Sequence, residues 1–154
     1  MKKTLILASL IFILSAIGEV NAQSRKSVSA TEVNGTFRFY FNGKFKGSYD
    51  EVKILALGKG KLRVSFELVY PYIDGMGEHS ANMGEANGTA IIEGDTAIYS
   101  SDEFGQCRIT IKFVKPGEIK ITQSGSDSEC GFGHNVTADG TYKKISRAKP
   151  KFEQ

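Results

Sequence analysis

The chain contains no tryptophan, and only two histidines, two cysteines and three prolines in 154 residues. Each scarcity excludes something. With so few metal-ligating side chains there is no HExxH, no CxxC and no pair of histidines one helical turn apart, and GxSxG is also missing. A metal centre needs about three ligands in fixed geometry, and a hydrolase needs a nucleophile beside a base. No catalytic, cofactor-binding or metal residues are therefore assigned, no cofactor is expected, and an enzyme is not expected. Charge of one sign is lacking too, with 20 basic against 17 acidic residues. Nucleic acid is not an expected partner, because binding it requires a basic stripe that neutralises several phosphates. Only one long apolar run exists, Leu5 to Ile17, and at 13 residues it falls short of the roughly 20 that a membrane span needs.

That run has Lys2 and Lys3 before it and Val20-Asn21-Ala22 after it, the pattern of a cleaved export signal. Residues 1–22 read as that signal, 23–33 as a flexible N-terminus, 34–145 as one domain and 146–154 as a disordered basic tail. Cleavage removes Lys2, Lys3 and Glu19, leaving 18 basic and 16 acidic residues of the original 20 and 17. The product is expected to be soluble and exported, periplasmic or extracellular. Two cysteines in an exported chain read as one disulfide, Cys107 to Cys130. Closing that loop adds about 3 kcal/mol in the chain-entropy model.

What the chain has in abundance is alternation. Leu62, Val64, Phe66 and Leu68 alternate with Arg63, Ser65 and Glu67; Cys107, Ile109, Ile111 and Phe113 alternate with Arg108, Thr110 and Lys112. Period two over such lengths makes half-buried antiparallel strands, and no window after residue 22 has a helical period. Strands are expected near 35–41, 45–57, 61–70, 87–93, 96–100, 106–114, 118–123 and 140–145. Asn42-Gly43, Gly94-Asp95 and Pro116-Gly117 supply tight turns between them. The fold class is all-β, a single-domain antiparallel up-and-down barrel of about eight strands that hides its apolar face and closes its edges. A two-sheet β-sandwich is the alternative. "NGT" at Asn34 and Asn87 and "DGT" at Asp139 each read as a turn feeding a strand. The stretches around them read either as an internal duplication or as recurrence of a common junction.

Two long connections interrupt the meander, Pro71 to Ala86 and Ser124 to Ala138, and long loops on a rigid scaffold tend to carry function. The first offers Tyr70, Tyr72, Ile73, Met76, His79 and Met83 as a contact surface; the second offers Phe132, which caps the barrel end or anchors a partner, and His134. The expected function is a non-enzymatic binding module that meets a protein or cell-envelope partner through this rim. The alternative is a carrier of a small apolar ligand inside the barrel, as in lipocalins.

The stretch "CGFGHNVTADGTYKK" (Cys130 to Lys144), preceded by a strand bearing "QCRITI", resembles a group of small exported bacterial proteins that end in CGFGxxVxxDGxY after a strand carrying the partner cysteine. Their general plan is similar to that of the periplasmic lysozyme inhibitors, compact disulfide-bearing β-barrels that insert a loop into an enzyme cleft. This likeness is one of size, compartment and strand pattern, and it transfers no inhibitory residue.

Overall fold

A computed structural model describes residues 26–152; the expected export signal lies outside them. Eight antiparallel strands close into one barrel in sequence order: β1 (Gly35–Tyr40), β2 (Tyr49–Gly58), β3 (Lys61–Ile73), β4 (His79–Glu93), β5 (Thr96–Ser101), β6 (Cys107–Lys115), β7 (Glu118–Ser124) and β8 (Gly140–Ser146). β1 pairs with both β2 and β8, which completes the ring. The barrel, not the sandwich, is the fold.

Alternation produces this wall for a simple reason: successive side chains leave a strand on opposite faces. Phe37, Val52, Ile54, Val64, Phe66, Leu68, Ile109, Ile111 and Ile119 point inward and are fully buried. Arg63, Glu67, Arg108 and Lys120 point out. A membrane barrel has the reverse arrangement, an apolar outer band around a polar lumen. No helix among the described residues is long and apolar enough to cross a membrane. The interior is occupied by one cluster of the chain's own side chains, including Phe66 against Tyr99 at 5.7 Å between ring centroids. Tyr142 brings the one phenol that is fully buried, and its hydroxyl donates to Ala138 O at 3.0 Å, so burial leaves it satisfied.

Two expectations need correction, the loop at Pro71 to Ala86 and the turn at Asn87. The stretch Pro71 to Ala86 is not a loop: β3 and β4 run as one continuous ladder from Lys61↔Ile91 to Ile73↔His79, because Val69, Pro71 and Ile73 continue the odd-numbered face of β3 opposite Met83, Ala81 and His79. Asn87-Gly88-Thr89 therefore lies inside β4 rather than at a junction, whereas Gly35 and Gly140 do begin strands. The duplication fares accordingly: β2 and β3 match β6 and β7 four strands on, but the NGT stretches fall three strands apart, in β1 and β4, which run in opposite directions. The segment expected to be flexible holds a turn of helix, α1 (Ala30–Val33), closed by a capping box between Ser29 and Glu32 and anchored by buried Val33. Lys144 Nζ donates to the carbonyls of Thr31, Glu32 and Asn34 beneath it. Within the expected tail, Phe152 lies against the outer wall with the Arg63 guanidinium 4.4 Å from its ring centroid.

Candidate functional site

In an up-and-down barrel, the connections β1–β2, β3–β4, β5–β6 and β7–β8 share one rim. Both long connections are on it, and they are built differently. Leu68–Ile73 of β3 pair only with β4, and His79–Thr89 of β4 pair only with β3. The result is a two-stranded arm, about 20 Å long over its six β3 residues at a rise of about 3.3 Å each. Its tip is organised by Asp74, whose Oδ1 accepts from the N–H groups of Met76 and Glu78, both at 2.9 Å.

The β7–β8 connection folds inward as a plug. Its 3-10 turn (Ser128–Cys130) is tied to the start of β6 by the Cys107–Cys130 disulfide, with Cα atoms 4.7 Å apart. Phe132, Val136 and Ala138 are buried, at 7, 1 and 0 % exposure. Gly84 of β4 accommodates them: a Cβ there would stand 2.8 Å from Val136 Cγ1 and 2.9 Å from the Phe132 ring. Asp127 holds the loop's shape by accepting from Ser128 and Asn135 N–H at 2.7 and 2.6 Å. The bond from Asn135, then that from Ser128, keeps its carboxyl below the usual aspartate range. Arm and plug meet at Gly133 N–H donating to Met83 O (2.9 Å) and Asn82 Nδ2 donating to His134 O (2.6 Å).

These placements divide the expected contact surface. Phe132 is withdrawn from it, because its ring fills the barrel end. Directly opposed residues share a face of a ladder, so Tyr70 and Tyr72 stand with Asn82 and Ser80, while Ile73 and Met83 stand with His79 and Val69 on the other side. Tyr70, Met76 and Met83 are exposed to 40, 85 and 57 %; Tyr72 and Ile73 are half-buried. His79 is exposed and lies edge-on to Phe45 of the β1–β2 connection at 5.9 Å. His134 is exposed, with Nδ1 3.6 Å from Asp127 Oδ2. Among the described residues no three His, Cys, Asp or Glu side chains gather as metal ligands would.

Three features escaped sequence reasoning. Tyr40 and Tyr49, paired across β1 and β2, are exposed beside the arm, and the Arg38 guanidinium sits 3.9 Å above the Tyr49 ring. Tyr49, Val69, Ala81 and Met83 line an open outer groove of about 300 Å³ with Glu51 and Glu67. Asp50 is buried where β3 leaves β2, and its Oδ1 accepts the Val69 N–H at 2.7 Å in place of a ladder partner. Burial raises its carboxyl to about 7. The tyrosines carried a faint signal, two aromatic residues facing each other across a hairpin. Asp50 carried one as well, an acid at a position where β2 alternation demands an apolar residue. No protein-family model, curated protein or solved structure matches the chain, so the site rests on geometry.

Proposed function

We propose that this chain is an exported, non-enzymatic binding module that grips a protein or cell-envelope partner with the β3–β4 arm and the rim beside it. One observation carries the reading. The arm's two strands face each other residue by residue from Leu68 to Ile73, yet it holds Met76 at 85 % exposure at its tip, with Tyr70 and Met83 exposed on its two faces and Tyr40 and Tyr49 close by. Clustered apolar exposure of this kind costs solubility and marks surfaces that another molecule covers; Met and Tyr are also residues favoured at such contacts. The filled interior favours this reading over a carrier, which would need room inside the wall. The same arm fits the plan-level likeness to inhibitors that present a projecting element to a partner. The experiment is capture of envelope components by the immobilised, disulfide-bonded protein, repeated with Tyr70→Ala and Met76→Ala. A discrete partner recovered by the wild type and lost with both variants is the expected result. Equal recovery by all three proteins overturns the reading.

A further inference from the structure

The two edges of the arm are finished differently. In an antiparallel strand the N–H and C=O of one residue point to the same side, and the side alternates along the chain. Val69 directs its N–H toward β2, where Asp50 takes it. Pro71, two residues on, faces the same way and has no N–H to offer. The β3 edge is thus closed by a carboxyl and a proline, two devices that stop another strand from pairing there. The β4 edge has neither. Met83 O is met by Gly133 N–H from that open side, so the odd-numbered residues of β4 direct their backbone groups outward, and Glu85 and Asn87 do so below the point where the plug touches. Pairing with β5 resumes only at Ala90. Gly133 shows that this edge accepts backbone from outside the arm.

Charge beside the edge is unbalanced. Glu67 and Glu85 are directly opposed on the outer face, an unfavourable placement for like charges. Lys53 bridges Glu67 and Glu51, and Arg38 also pairs with Glu51, while no ion pair reaches Glu85 among the described residues. Hydrogen bonding to Glu67, partly opposed by burial, raises the Lys53 ammonium above its usual range, so that cation is already committed. A depression of about 350 Å³ lies between, lined by Ser65, Glu67, Glu85, Asn87 and the Phe152 ring as well as Lys53. With Glu67 held by Lys53 and the Phe152 ring by Arg63, the Glu85 carboxylate and the Asn87 amide are left to receive a Lys or Arg side chain.

We propose that the open β4 edge at Glu85–Asn87 binds an extended segment of a partner protein by strand addition, with a basic side chain of that segment entering the depression beside Glu85. Main-chain bonds supply affinity and the pocket supplies selectivity, as in other strand-addition complexes. This deepens the proposed binding role and rests on it, but it engages a different part of the arm from Tyr70 and Met76.

The test pans a phage-displayed library of random dodecamers against the mature, disulfide-bonded chain and then measures binding of synthetic enriched peptides. Enriched sequences should carry Lys or Arg within an otherwise β-forming stretch. Glu85→Lys, an exposed change that leaves the fold intact, should weaken them at least tenfold, and exchanging the peptide's basic residue for Glu should restore binding to that variant. Asn87→Pro, which removes an outward N–H, should weaken them further. No enrichment, binding indifferent to Glu85→Lys, or sedimentation showing that the edge pairs with a second copy of the chain would each overturn the proposal. Loss of the envelope partner with Tyr70→Ala and Met76→Ala, alongside no enrichment of basic peptides, removes the edge proposal and leaves the arm reading in place.

Discussion

The arm and the plug leave the same rim and are similarly rich in apolar side chains, yet the arm holds Tyr70, Met76 and Met83 out in water while the plug buries Phe132, Val136 and Ala138. The difference lies in backbone supply. Along the arm every residue from Leu68 to Ile73 faces a partner on β4, so the ladder supports the ribbon and its side chains are free to point away. The plug has no ladder. Some of its N–H groups go to local carbonyls, as Phe132 does to Asp127 O, and others to side chains: Asp127, Glu129 Oε2 (from Ser126, 2.7 Å) and the Gln123 amide (from Ala138, 2.9 Å); its shape depends on the disulfide and on what Phe132 and Val136 fill. Apolar content in a long connection therefore does not decide exposure; the presence or absence of a strand partner does.

The largest test sets the two regions against each other. Phe132→Ala removes a buried ring from a closed barrel end and should cost about 3–5 kcal/mol, read as a lower thermal midpoint. Reducing Cys107–Cys130 should cost about 3 kcal/mol on the loop-entropy account. Met76→Ala, at an exposed tip, should stay within about 0.5 kcal/mol. If Met76→Ala and Phe132→Ala lower the midpoint equally, the contrast between arm and plug is broken.

A smaller effect comes from Asp50, at the joint where the arm departs from β2. Its folded carboxyl titrates near 7 because of burial, above the ordinary aspartate value of about 4. Between these two values the folded chain holds a proton that the unfolded chain has released. Stability from this group is therefore highest below about pH 4, falls as pH rises toward 7 and is flat beyond. Asp50→Asn keeps an oxygen for the Val69 N–H and abolishes the titration. It should raise stability at pH 8 by roughly 1–3 kcal/mol and flatten the profile in denaturant melts taken from pH 4 to 8. A profile as steep as that of the wild type would remove Asp50 from this role. Tyr142 of β8 is the titratable group felt from across the core, and burial, followed by the Asp50 and Asp139 charges, pushes its phenol up, so it stays neutral throughout.

Most of the wall was legible because period two is a local signal: Val64 to Leu68 and Ile109 to Phe113 announce their inward faces without reference to any partner. The arm was not, since Gly75, Gly77, Gly84 and Gly88 interrupt the pattern with loop-like composition, and only the register against β3 makes strand of His79 to Thr89. Gly84 illustrates why. Its missing side chain reads as flexibility in sequence, but in the fold it is the clearance that admits Phe132 and Val136. The same limit applies to the contact surface. The residue types of the arm could be chosen from sequence, but their division between two faces follows from pairings such as Tyr70↔Asn82 and Val69↔Met83, and the open edge beside Glu85 follows from where β5 stops pairing. Long-range register is not written in any single stretch.

The smallest predicted effect asks whether arm and plug are separate units or one. Asn82 Nδ2 donates to His134 O, and beside it Gly133 N–H donates to Met83 O; these are the polar links between the two regions. Asn82→Ala removes the first. A single hydrogen bond of this kind contributes about 0.5–1.5 kcal/mol, so the global midpoint should move little. Amide exchange at Gly133 should quicken while exchange at Ile109 and Ile111 in β6 stays as slow as before, because the plug would lift locally without opening the barrel. If β6 exchange quickens in step with Gly133, the plug is part of the cooperative core, and what separates it from the arm is burial alone.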